Sequence, residues 1–132
     1  MKAVFADTSG YFAALFAGDP RHAEARELFI RAEEAGWKVW TTSYVVIETS
    51  ALVQARLGWD FVRELHAVYW PLSEVHYVND SLHALASARH RQAARRALSL
   101  VDCTSFEFME QKGLREAIAF DAHFQEAGFR LP

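Results

Sequence analysis

Short apolar runs and longer stretches of helical periodicity alternate along the chain, and together they divide it into elements. "AVFA" (3–6) is apolar throughout and too brief for a helix, so it reads as a strand. Thr8 and Ser9, both good helix N-caps, come next, and Tyr11, Phe12, Leu15 and Phe16 then recur at helical spacing up to Gly18. Asp19 and Pro20 open a second helix as cap and first-turn residue. Over 20–35 it carries Ala25, Leu28, Phe29 and Ala32 on one stripe, with Arg and Glu opposite, and it ends at Gly36. "KVWTT" (38–42) returns to strand character. A third helix is expected from Ser43 to Arg56, stopped by Gly58, and a fourth from Trp59 to Tyr69, stopped by Pro71. "SEVHYV" (73–78) alternates like a strand, and Asn79 or Asp80 caps a helix over 81–98. Beyond Gly113, "AIAF" (117–120) reads as one more buried strand, and "GFRL" (128–131) as a last short one.

Strands separated by helices throughout imply right-handed βαβ connections, hence a parallel sheet covered on both faces: a three-layer α/β domain. The 132 residues suit a single domain, 1–132, with no repeat or linker, and a hydrophobic fraction of 52% is enough to fill a core. No stretch is long enough to span a bilayer, so no membrane partner is expected. "MKAVFAD" lacks a signal-peptide h-region, and the one cysteine, Cys103, cannot form an internal disulfide; both favour the cytoplasm. A net charge of -3 gives no global attraction to nucleic acid, so any such activity would need a local basic patch or bound cations.

Four acids stand out by position. In open parallel sheets ligands collect beyond the carboxyl ends of the strands. Asp7 ends the first strand there, and Asp121 in "AIAFDAHF" repeats the arrangement of apolar run, acid and helical turn. Glu48 lies on the inward face of the third helix, with Ala51, Leu52 and Ala55 three, four and seven positions on. Asp102 in "LSLVDCTSF" follows an apolar stretch and precedes Phe106 and Met109. Each also has a structural reading. Asp7, Asp102 and Asp121 could cap helices, Thr104 with Glu107 forms a T-x-x-E capping box that would free Asp102, and Glu48 could pair with a buried arginine. Four acids converging on one edge would raise one another's pKa values unless cations neutralise them, and hard divalent ions take such oxygen ligands.

Other chemistry is sparse. The six histidines form no H-x-x-x-H or H-E-x-x-H, Cys103 has no partner at zinc spacing, and there is no G-x-G-x-x-G, Walker A loop or G-x-S-x-G elbow. His123 alone lies near a proposed acid, and it reads as an exposed turn residue. "ARHRQAARR" is the one basic cluster; Arg89 and Arg96 would share a helix face able to touch an RNA backbone. The four tryptophans, Trp37, Trp40, Trp59 and Trp70, suit core or dimer contacts.

"ADTSG" at the start, "ET" in the third helix, "LSLVDCTSF" and "AIAFDAHFQEAGFRL" together resemble a PIN-domain ribonuclease, most nearly the VapC-type toxins, across essentially the whole chain. The resemblance implies a parallel sheet of four or five strands, Mg²⁺ or Mn²⁺, hydrolysis of RNA phosphodiester bonds, a homodimer and inhibition by a cognate antitoxin protein. It carries Asp7, Glu48, Asp102 and Asp121 over as the metal-binding, catalytic quartet, with the hydroxyls of Thr8, Thr104 or Ser105 in support. Alternatives are a non-toxin PIN nuclease of RNA processing, a Mg²⁺-dependent phosphatase of the haloacid-dehalogenase kind, whose second Asp is Ser9 here, and a catalytically idle binding protein.

Overall fold

Val4, Phe5 and Ala6 have no accessible surface, which is why a strand as apolar as β1 (Ala3–Ala6) sits in the interior of the sheet. The computed structural model describes residues 1–132. After β1 come α1 (Thr8–Leu15), α2 (His22–Ala35), β2 (Lys38–Thr42) and α3 (Ser43–Arg56). Then follow α4 (Trp59–Glu64), a π-helical turn (Leu65–Tyr69), α5 (Trp70–Leu72), β3 (Ser73–His76), α6 (Asp80–Ala93), α7 (Leu100–Lys112), β4 (Ala117–Ile118) and α8 (Ala122–Glu126). The strands lie in the order β3-β2-β1-β4, and every pairing is parallel, with Phe5 opposite both Trp40 and Ala117. Helices flank the sheet, giving the α/β/α arrangement expected from the alternation of signals.

The order of the strands decides where a site can form. From β1 the chain builds outward through β2 to β3, then crosses back to lay β4 on the other side of β1. At such a reversal, neighbouring connections leave in opposite directions and open a crevice beyond the carboxyl ends of the strands. Here that crevice lies beyond β1 and β4. Gly10 lets them close up: a Cβ there would lie 2.2 Å from the Ile118 carbonyl oxygen, so α1 meets the backbone of β4 directly. Beneath the site, Phe5 packs on Phe108 and Phe124, at ring-centroid distances of 6.0 and 6.3 Å, and Trp40 joins Phe108 at 5.7 Å. A second aromatic cluster, Tyr11, Phe29 and Tyr69, joins α1, α2 and the π turn.

Several boundaries differ from expectation for local reasons. Pro71 does not stop the fourth helix at Tyr69 but lies inside α5. It lacks the N–H that would bond four residues back, and the chain widens just before it, with Trp70 N donating to Leu65 O. The sixth helix ends at Ala93, not Leu98, because Ala94 turns left-handed (φ 48°). The second begins at His22, after Asp19 Oδ1 has accepted from Arg21 N. β3 stops at His76, and β4 is only two residues long, since Phe120 N donates to the Ser9 hydroxyl instead of to a strand. "GFRL" contributes a single parallel bridge, Glu116 with Arg130, rather than a strand.

Candidate active site

Asp7 leaves β1 with extended backbone and becomes the N-cap of α1, a place for which the sequence offered Thr8 and Ser9 as well as Asp7 itself. Its Oδ2 accepts from Ser9 N (3.2 Å) and Ser9 Oγ (2.8 Å). Oδ1 is buried and has no hydrogen-bond partner. Burial pushes the carboxyl up to about 7; the Ser9 bonds pull it down, and the charges of Asp102 and Glu48 add to the rise. The same Ser9 hydroxyl accepts from Phe120 N (3.0 Å), so one side chain ties the end of β1 to the end of β4.

Glu48 projects from α3 and is held by a hydroxyl, not by a buried arginine. Thr8 Oγ1 donates to its Oε1 at 2.6 Å, and Thr49 Oγ1 donates to Thr8 Oγ1 at 2.9 Å. Thr8 therefore bonds the acid directly. Thr104 and Ser105 do not: their hydroxyls bond the carbonyls of Leu100 and Val101 inside their own helix, and both residues are fully buried.

Asp102 is the third residue of α7 and part of its capping box. Asp102 N donates to Ser99 Oγ (3.0 Å), and Ser99 N donates to Asp102 Oδ2 (3.2 Å). The expected box of Thr104 and Glu107 does not form, because the helix starts four residues before Thr104 and Glu107 binds Arg89. Burial raises the Asp102 carboxyl above its ordinary value, and the nearby Asp121 charge adds to the rise. Asp121, in turn, caps α8, its Oδ1 accepting from His123 N at 2.9 Å.

All four acids line one open cleft of about 590 Å³, within the ~300–1,000 Å³ typical of ligand sites. Capping and cleft-lining thus coexist in Asp7, Asp102 and Asp121: one oxygen secures a helix start while the carboxylate borders the cavity. An unpartnered buried carboxylate oxygen beside three more acids fits a hard divalent cation, which supplies the missing charge and takes oxygen ligands.

Groups at and beside the cleft depart from the sequence expectation. His123 is not an exposed turn residue; its side chain is 12% exposed, and ligand atoms of Asp102, Asp121 and His123 lie within 4.8 Å of one another. The signal was its place two residues after Asp121, on a turn too short to show periodicity. Arg21 and Arg56 stand at the cleft. Arg89 and Arg96, by contrast, share no helix face, because Arg96 lies beyond the end of α6. Arg89 is neutralised by Glu107 (2.8 Å) and Glu110 (3.0 Å). Arg21 pairs with Glu24, whereas exposed Arg56 is absent from the arginine ion pairs, which involve Arg21, Arg31, Arg63, Arg89, Arg95 and Arg130.

Comparison with known proteins gives a consistent result. A PIN domain family model matches residues 4–130. The 23S rRNA-specific endonuclease VapC20 of Mycobacterium tuberculosis, in strains CDC 1551 and H37Rv alike, is 34% identical over 127 residues, covering 96% of this chain and 95% of the relative. The crystal structure of M. tuberculosis VapC20, described as a sarcin-ricin loop cleaving toxin, matches with a TM-score of 0.84 at 33% identity, over 96% of this chain and 95% of that one.

Proposed function

This chain belongs to the PIN-domain family, and on that premise we propose that it is a Mg²⁺- or Mn²⁺-dependent endoribonuclease, the toxin of a toxin–antitoxin pair. The observation that carries the reading is the set Asp7, Glu48, Asp102 and Asp121 around one cleft, with Asp7 Oδ1 buried and unpartnered. Those four carboxylates would hold the cation, which when bound lowers the pKa of a water and offsets phosphate charge. Ser9 fixes the Asp7 carboxylate, and Thr8, backed by Thr49, fixes Glu48, so both acids are oriented before substrate arrives. Arg56 supplies a positive charge for the RNA backbone at the mouth of a cleft that would otherwise repel it.

The relatives' names suggest the first substrate to try, the sarcin-ricin loop of 23S ribosomal RNA. A cognate antitoxin protein and a cytoplasmic location accompany this reading. So does a homodimer, for which exposed Ile47, Tyr77 and Leu85 offer apolar surface. The deciding experiment incubates ribosomes and isolated 23S RNA with the protein and Mg²⁺ or Mn²⁺. Cleavage at defined positions, abolished by excess EDTA and by Asp7→Asn, is the expected result; cleavage that persists in EDTA would overturn the metal mechanism.

A further inference from the structure

Building on that assignment of the cleft, we propose that its two ends are chemically different cation sites, and that His123 supplies a nitrogen ligand at the Asp102–Asp121 end, held in place by Glu126 and Arg95.

The geometry has three parts. His123 Nε2 lies 4.0 Å from Asp121 Oδ1, and the ligand atoms of Asp102, Asp121 and His123 fall within 4.8 Å of one another. Ligands around a cation at ~2.1 Å are roughly 3–4 Å apart, so a contraction of the order of 1 Å brings all three onto one ion. The other ring nitrogen, Nδ1, is buried without a hydrogen-bond partner, and Glu126 Oε2 lies 3.5 Å from it. Glu126 Oε2 in turn accepts from Arg95 Nη2 at 3.1 Å. Closing that 3.5 Å gap would let Nδ1–H donate to Glu126, the arrangement by which proteins orient metal-bound histidines.

The opposite end has no nitrogen donor among its acids and their supports: Asp7 and Glu48 are backed by the hydroxyls of Ser9 and Thr8. Imidazole favours first-row transition cations, whereas an all-oxygen set suits Mg²⁺. The Asp121 end should therefore discriminate between Mn²⁺ and Mg²⁺, and the Asp7 end much less.

Mn²⁺ is the probe, read by electron spin-echo envelope modulation on the full-length protein without RNA. We expect a ¹⁴N coupling from coordinated imidazole in the wild type. His123→Ala should remove it and weaken Mn²⁺ binding about tenfold or more while leaving Mg²⁺ affinity within about twofold to threefold. Glu126→Gln should keep the coupling but lower Mn²⁺ affinity by roughly tenfold, the usual scale for losing such a support. Mn²⁺ that binds the wild type without ¹⁴N coupling overturns the proposal and leaves the nuclease reading standing. So does a His123→Ala change that weakens both cations equally. Mn²⁺ binding that is absent, or indifferent to Asp7→Asn and Asp102→Asn, overturns both the proposal and the reading of the cleft on which it rests.

Discussion

Burial lifts the Asp7 carboxyl from 3.8 to about 7, so between those pH values the folded chain keeps a proton that the unfolded chain has released. A state that binds more protons loses stability as protons are withdrawn. In the cation-free protein this group therefore lowers stability steadily as pH rises from about 4 to 7, by an amount of the order of 4 kcal/mol, and has no further effect above 7. Asp7→Asn should remove that slope: its melting temperature should match wild type near pH 4 and exceed it at pH 8, while RNA cleavage is lost. Melting curves across pH in EDTA check this, and a variant that melts lower at pH 8 would make Asp7 a structural acid. Glu48 gives the complementary case. Its partner is the Thr8 hydroxyl, which can donate equally to an amide oxygen, so Glu48→Gln strands no buried cation. Apo stability should hold within about 1 kcal/mol, whereas the rise in melting temperature on adding Mg²⁺ should shrink, since that rise reports ligand bound by the folded state.

Elements hold the site together through a few close contacts, and Gly10 is the tightest. The Ile118 carbonyl that a Cβ would strike belongs to β4 and cannot swing aside, so Gly10→Ala must push α1 away from the sheet. A cost of about 1–3 kcal/mol is expected in denaturant unfolding, together with weaker cation binding, because α1 carries Thr8 and Ser9 and begins at Asp7. How legible these elements were depended on what ends them. β1, β2 and the acids placed after apolar runs could be read, since an apolar run followed by a cap residue marks a strand-to-helix joint regardless of distant contacts. The start of α7 was also encoded, as Ser99-x-x-Asp102, but the competing Thr104-x-x-Glu107 has the same form, and only packing, with Leu98 buried and Arg89 claiming Glu107, chooses between them. Ala94 gives no warning of a left-handed turn, and Pro71 is tolerated in a helix only because a wider turn precedes it. His123 and Ser9 owe their importance to partners that chain order keeps far apart or on a single short turn. Ser9 meets Phe120 across 111 positions, which no local pattern records.

For the whole molecule, a net charge of -3 leaves RNA attraction to particular arginines rather than to an overall field. Arg56 stands at the cleft without a carboxylate partner, whereas Arg89 is spent on two. Measured in an Asp7→Asn background that cannot cut, Arg56→Ala should weaken RNA binding and reduce the slope of log affinity against log salt by about 1. Arg89→Ala should leave that slope unchanged, and the reverse pattern would relocate the RNA path to α6. The strand order also divides the cleft between unequal supports. Asp7 follows an interior strand, but Asp121 and His123 follow β4, whose two residues pair with β1 on one side while only Ala117, through its N–H to the Arg130 carbonyl, is held on the other. So short a strand should be among the first parts of the sheet to open, and its amides should exchange with deuterium well before those of Val4 and Phe5. If a cation clasps both supports at once, adding it will slow exchange at Ala117–Phe120 far more than in β2. Loading of the site would then be legible as a change in the rhythm of one edge of the sheet, without a single RNA bond being cut.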